Sequence, residues 1–361
     1  MHMRLHATLG LAAALAAFRI DPAPPPPPSP TAAEIVQRFI AARGGLARIK
    51  AVRSLVLRAP GRFMARARPY YWKVGDDEYA EGSDGAPWEY LGDPGLVLRT
   101  SDAPAAAARH TGYFDDPLVS SLEPGFALER LPDEPIGGRP AYGLRATYPD
   151  GFQMDLFVDS ESWLVIASRK VAPVHAFGKG IATETRISDY RPVNGALFPM
   201  TFREFVIASG KPLEDMSGTW TSVEANTDLP PGYFSPPTAG ATPQARMLNA
   251  VFAARHVATD AFGWYRYFKD DPATAAVDTE AGLEFVAYQC LKNGAVPAGL
   301  LLLEENAREH PRSAKAHFGL GRAYRAAGRE AEAQARFREA LALDPSFTRA
   351  RQALDEAPVP H

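Results

Sequence analysis

Residues 229–243 read LPPGYFSPPTAGATP, and no regular element runs through them, because proline lacks an amide hydrogen and fixes φ. The hydrophobic period differs on the two sides of this stretch. Before it, from about Val52 to Asn226, short runs rich in Val, Ile, Phe, Tyr and Thr alternate with polar residues and are broken by Gly, Pro, Asn and Asp. That pattern belongs to antiparallel strands. After it the sequence turns rich in Ala, Arg and Glu at helical spacing. A chain of 361 residues is long enough to bury two cores. The division predicts a β domain at 31–228, a linker at 229–243 and an all-α domain at 244–361.

Within the β part, Phe152, Met154, Leu156 and Val158 alternate with Gln153, Asp155, Phe157 and Asp159 behind the turn signal Pro149-Asp150-Gly151, which predicts one dry face and one mostly wet one. Tyr142, Leu144, Ala146 and Tyr148 give a partner strand a matching apolar face, and Phe198, Met200, Phe202 and Val206 share a parity interrupted by Glu204. In YRPVNGALFPMTFREF, from Tyr190 to Phe205, the centre is Asn194-Gly195, a pair that tolerates the positive φ of a tight hairpin. Pro199 confines its strand to an edge or an irregular start. About nine to eleven strands are expected, with a helical interruption between Ala103 and Leu122. A sheet that long curls. Ahead of it, Thr31 and Glu34 have capping-box spacing at the start of one helix reaching about Lys50, with Ile35, Val36, Phe39, Ile40, Leu46 and Ile49 on its apolar stripe.

The helical part contains an internal repeat. In SAKAHFGLGRAYRAAGREAEAQARFREALALDPS, residues 313–346, Leu320, Gly321, Tyr324, Ala333, Phe337, Ala340 and Pro345 occupy the small and large packing positions of a tetratricopeptide repeat. Stepping back by one repeat of about 34 residues carries Pro345 onto Pro311, Gly328 onto Gly294, Phe337 onto Leu303 and Tyr324 onto Cys290. Cys290, the single cysteine, is therefore read as a small buried hydrophobe. The segment Gln244–Lys269 is expected to cap the stack, with Trp264, Tyr265, Tyr267 and Phe268 as packing glue.

The pieces RGGLARIKAVRSL, YPDGFQMDLFVDSESWLV, ISDYRPVNGALFPMTF and TSVEANTDLPPGYFSPP together resemble the bacterial periplasmic proteins with the lipoprotein-carrier fold, the LolA-like lipoprotein-sorting family, over 31–237. The resemblance implies an α+β fold, a curved, unclosed antiparallel β half-barrel over a helix, here followed by the all-α tetratricopeptide-type domain. It also implies an apolar concavity of the kind that holds acyl chains in the best-known members. Its motifs are turn and packing residues, so no catalytic residue carries over. The ligand-cavity candidates are then Tyr142, Leu144, Phe152, Met154, Leu156, Val158, Phe198, Met200 and Phe202. The appended repeats depart from the simple carrier.

The N-terminus, MHMRLHATLGLAAALAAFRI, has the polar start, short apolar run and small residues of a secretory signal at 1–20, followed by a proline-rich linker at 21–30. The apolar run is shorter than the roughly 20 residues a membrane span needs. These features predict export, into the periplasm by the family resemblance. With 39 Lys and Arg against 42 Asp and Glu, a net charge of −3, no general basic excess attracts nucleic acid. The eight histidines form no metal-ligand spacing, and no phosphate loop, dinucleotide fingerprint or nucleophile elbow is present, so neither metal nor cofactor is expected. Gly75–Glu78, Asp115-Asp116 and His175 sit among polar or turn-forming residues and read as solvated loops. Arg62, Arg66 and Arg68 share one strand parity: inward they would hold an anionic head group, outward they are ordinary solvated charges, and the rarity of unpaired buried arginine favours outward.

Lys315, Phe318, Arg322 and Arg325 fall on one face of the repeat's first helix, the face that lines the groove in tetratricopeptide repeats, where a basic row suits an acidic segment or a C-terminal carboxylate. The equivalent places of the preceding unit hold Ala281, Glu284, Tyr288 and Leu291. The expected function is that of an exported binding protein that accepts a lipid or other amphiphile and docks a protein partner. Two alternatives stand beside it: a non-enzymatic envelope scaffold with a filled barrel, and a hydrolase assembled from distant residues.

Overall fold

The computed structural model describes residues 29–68, 71–75, 79–83, 87–93, 95–99, 110, 114–175, 178–235 and 242–356, with some strand residues described by backbone alone. The expected signal, nearly all of the proline-rich stretch after it, Asp76–Glu78 and the His175 side chain lie outside the described residues.

The capping box forms as its spacing predicts: Thr31 Oγ1 accepts from the Glu34 N–H, and Glu34 Oε2 accepts from the Thr31 N–H at 2.7 Å. The helix it opens is shorter than expected. α1 (Ala32–Ala42) stops at Arg43 and α2 (Leu46–Ala51) is separate, because Gly44 and Gly45 adopt φ of 106° and 93°. A Cβ on Gly44 would stand 2.5 Å from the Gly195 carbonyl oxygen, so the break seats the end of the helix on a hairpin turn of the sheet. Arg43 completes the joint, donating from Nε to Leu197 O at 2.9 Å while its carbonyl accepts from the Leu197 N–H.

One sheet takes β1 (Ser54–Ala59), β2 (Arg62–Ala67), β3 (Tyr71–Val74), β4 (Tyr79–Ser83), β5 (Pro87–Leu91) and β6 (Leu96–Arg99). After α3 (Pro117–Ser120), which falls inside the expected helical interruption, come β7 (Ala127–Arg130), β8 (Glu134–Ile136), β9 (Arg139–Thr147), β10 (Gln153–Asp159), β11 (Val165–His175), β12 (Gly178–Val193), β13 (Ala196–Val206), β14 (Pro212–Thr219) and β15 (Ser222–Ala225). The ladders run β15-β1-β2-β3-β4-β5-β6 and β14-β13-β12-β11-β10-β9-β7, with β8 on β9, and every pairing is antiparallel. These 7- and 8-stranded sheets exceed the expected strand number, because the turn-broken run from 71 to 99 folds into four short strands. The Trp220-Thr221 segment joins the sheets: the Trp220 N–H donates to Met200 O on β13 and the Thr221 N–H to Arg58 O on β1. The ladders end on β6 and β7, which do not pair, so the β structure is unclosed.

Val193 pairs with Ala196 across Asn194-Gly195, whose φ values of 49° and 78° make the predicted tight turn. Pro199 lies past the last β14 partner of β13, where its missing N–H breaks no ladder bond on that side. Inside the sheet, Ile35 and Phe39 of α1, Ile49 of α2 and Leu118 of α3 pack with Leu144, Leu156, Val158 and Met200. Phe157 is not on a wet face: it is buried on the outer side with Ile136, Ala141, Ile166 and Ala167, since the β8–β9 hairpin folds over it.

The helices are α4 (Pro243–Ala253), α5 (Ala258–Asp270), α6 (Glu280–Lys292), α7 (Val296–Glu309), α8 (Ala314–Ala326), α9 (Glu330–Leu343) and α10 (Thr348–Asp355). The repeat register is visible in its closing bonds, Ala295 N–H to Cys290 O after α6 and Arg329 N–H to Tyr324 O after α8. Cys290 is fully buried, and burial pushes its thiol up to about 12. On α5 the aromatic row divides: Tyr265 and Phe268 are buried, whereas Trp264 and Tyr267 are exposed because they lie off the buried stripe. Leu96, Leu98, Ile181, Val206 and Leu213 of the sheets share one core with the helices, and Thr31–His361 forms one compact unit.

Candidate functional site

Two hollows and one buried histidine are the candidate sites among the described residues. The residues expected to line a lipid cavity lie on the inner face of β9, β10 and β13, in the register Tyr142 opposite Val158, Leu144 opposite Leu156 and Ala146 opposite Met154. Leu144, Met154, Leu156, Val158, Phe198 and Met200 are buried against one another and the helices. Tyr142 stacks on Trp163, which also carries the Arg38 guanidinium 4.5 Å over its ring. Phe152 stacks on His110 at 4.9 Å. Phe202 lines a hollow of about 370 Å³ together with Trp220, Arg62, Gly218 and the β1–β2 turn at Pro60-Gly61.

The arginines at β2 divide: Arg62 is exposed, as the outward reading has it, while Arg66 and Arg68 are half-buried. Arg66 pairs with Leu55 and Met64 with Leu57, so residues 62, 64 and 66 share the face that bears the core. Parity shows which residues share a face but not which face it is. Solvent reaches Arg62, and partners make the half-buried placement of the other two tolerable. Arg68, just past the strand, donates to Val52 O at 2.7 Å and Ile49 O at 2.9 Å and bridges to Asp115. Arg66 lies 5.8 Å from the Phe114 ring, and Arg62 lies 5.9 Å from the rings of both Phe202 and Trp220.

Of the acid–base candidates, Asp115 is held by Lys50 and Arg68. Asp116 caps α3 through Leu118 N–H at 2.9 Å, and burial pushes its carboxyl up against the pull of Arg43. Buried His110 places Nε2 2.7 Å from Asp150 Oδ2, and its ring packs on Tyr148 and Phe152. Among the described residues no group of three His, Cys, Asp or Glu side chains is placed to hold a metal ion.

The second hollow, about 520 Å³, lies in the groove of the helical part. α8 contributes Lys315 and Arg322, and α10 contributes Arg349. The facing α6 contributes Ala281, Glu284 and Tyr288, three of the four residues expected at the equivalent places, while Leu291 is buried in the core. Arg322 lies 4.4 Å over the Tyr288 ring, with its Nη2 3.6 Å from Glu284 Oε1. Burial pushes the Glu284 carboxyl up, opposed by Arg322, Lys315 and Arg349. The basic row is not presented whole. Phe318 packs on Phe337 and Phe347, and buried Arg325 donates to Glu330 and to Ala353 O at 2.9 Å, tying α8 to α10. Sequence reasoning missed the acidic side, Asp278, Glu280 and Asp93. Asp93 comes from the β5–β6 turn, and no local pattern relates it to α8.

The tetratricopeptide repeat family model matches residues 314–347. Solved structures similar to the chain include a DUF1329 family protein from Desulfovibrio piger (13% identity, 55% of this chain and 95% of that one, TM-score 0.38). A domain described as an outer membrane lipoprotein-sorting protein from Vibrio parahaemolyticus has 15% identity, coverage of 56% and 95%, and a TM-score of 0.34. A LolA superfamily protein from Nitrosomonas europaea has 13% identity, coverage of 57% and 98%, and a TM-score of 0.35. Two of the three are described in the terms of the lipoprotein-sorting family that the β-part sequence resembles. Comparison with curated proteins gave no match.

Proposed function

We propose that this chain is an exported, non-enzymatic binding protein whose helical groove docks a segment of a partner protein, with the β half-barrel at 31–228 as its support and 244–361 as the docking domain. The observation that carries the reading is the groove hollow, where Lys315 and Arg322 donate no hydrogen bond to any described residue and Arg322 lies 4.4 Å over the Tyr288 ring. A guanidinium seated over a ring, with a carboxylate near it but beyond hydrogen-bond length, keeps donors to offer an incoming carboxylate. Fluorescence anisotropy with short acidic peptides checks it: full-length protein binds them, and Lys315→Gln with Arg322→Gln weakens binding about tenfold or more. Binding that ignores both substitutions would sink the reading. Export is supported by the composition of the leader, and recovery of the uncut chain in the cytoplasm would count against it.

A second reading, a small amphiphile in the β part, is favoured by the hollow at Phe202, Trp220 and Arg62, which joins aromatic walls to one cation. Mass spectrometry of extracts from purified protein tests it. Absence of any bound amphiphile, together with no uptake of a fluorescent fatty acid, removes it.

A further inference from the structure

The groove hollow carries charge of both signs. Its cations stand on α8 and α10, and its carboxylates stand at the start of α6 and on the β5–β6 turn. Within the acidic side the groups are unequally free. Glu280 accepts from Ser313 Oγ and faces His310 at 3.8 Å, and Glu284 leans on Arg322. Asp93 is exposed on its turn, and Asp278, whose Oδ1 accepts from the Glu280 N–H at 3.0 Å and lies 3.8 Å from His310 Nε2, keeps most of its side chain in water, where Oδ2 can meet an incoming group. On the basic side, Arg322 has Nε buried without an acceptor, and its nearest carboxylate oxygen at 3.6 Å is beyond hydrogen-bond length.

Glu89 on β5 accepts from Lys292 Nζ at 2.8 Å and from Gln289 Nε2, both on α6, in a buried cluster that binds the strand to the helix bearing Glu284. Asp93 is thereby set against the groove by the β part of the chain.

We propose that the groove reads a partner segment of two signs, an acidic side chain bound by Lys315 and Arg322 with a basic side chain close after it bound by Asp93 and Asp278, so that the β half-barrel supplies part of the specificity. The proposal rests on the groove reading above. A purely acidic segment gains from the cations but is repelled by Asp93, Asp278 and Glu280, and a purely basic one meets the reverse. Discrimination therefore comes from the repulsive wall as much as from the attractive one.

The test uses the full chain and end-blocked fluorescein peptides of equal length with the cores Glu-Ala-Lys and Glu-Ala-Gln. Wild type is expected to bind the Glu-Ala-Lys peptide about tenfold more tightly than the Glu-Ala-Gln peptide. Asp93→Lys, on an exposed turn, removes that preference while leaving the Glu-Ala-Gln peptide bound as well or better. Arg322→Gln weakens both. Equal binding of the two peptides by wild type, or a preference that survives Asp93→Lys, overturns the two-sign site and leaves the groove reading standing. Failure of wild type to bind either peptide overturns both.

Discussion

Asp159 and Asp116 are carboxylates whose surroundings act with opposite consequences for stability. Burial pushes Asp159 up, but hydrogen bonds from the Ser162 N–H and hydroxyl and the ion pair with Arg139 at 2.9 Å outweigh it and hold the carboxyl below its ordinary range. A depressed folded value stabilises the fold above the unfolded carboxylate value near 4, and that contribution is lost as pH falls through the folded value. Asp159→Asn should therefore cost about 2 kcal/mol at pH 7 and little in strong acid, read from urea midpoints across pH. For Asp116 burial wins, and the raised value makes the ionised form a liability as pH climbs through it. Asn keeps the cap on Leu118 without the charge. Asp116→Asn is expected to raise the midpoint at pH 7 and to leave it unchanged below pH about 4. A variant less stable at neutral pH would show that the attraction to Arg43 outweighs burial.

Helix pairing in the repeat depends on one missing side chain. A Cβ on Gly321 in α8 would stand 2.4 Å from the Phe337 ring of α9, which is fully buried and has no room to retreat. Overpacking of this kind costs about 2 kcal/mol. Gly321→Ala should lower the urea midpoint accordingly, and adding Phe337→Leu should recover part of the loss. If the double variant is worse by the sum of the two single effects, the two side chains do not compete for the same space. The sheet has a comparable joint at its Asn194-Gly195 turn, where Gly195 meets both Gly44 and the Arg48 side chain.

The β and helical parts share a core, and the Glu89, Gln289 and Lys292 cluster is buried within the same contact. Removing one partner of a buried ion pair leaves the other charge unpaired, at a cost of about 3 kcal/mol or more. Lys292→Met should lower the stability of the whole chain by that amount. Calorimetry should show one transition for the wild type and two for this variant, as the sheets and the helices lose their common anchor. A single transition at an unchanged temperature would mean that the apolar contacts of Leu96, Leu98 and Leu213 with the helices suffice alone.

The capping box at Thr31, the turn at Asn194-Gly195 and the repeat positions Leu320, Gly321, Phe337 and Cys290 were legible because each follows from spacing within one element or one turn. Spacing also put Lys315, Phe318, Arg322 and Arg325 on one helix face, yet only Lys315 and Arg322 line the hollow, since Glu330 and the end of α10 claim Arg325. The half-buried place of Arg66 on the core side of β2 and the splitting of residues 71–99 into short strands were not legible, because parity and turn residues do not say what packs opposite. Least accessible were the pairing of Glu89 with Lys292, 203 positions apart, and the arrival of Asp93 at the groove. Periodicity along a chain specifies what each element is and which residues share its faces. Which distant groups meet depends on how the sheets and helices pack once each buries its apolar face, and that packing brings opposite charges together in one hollow.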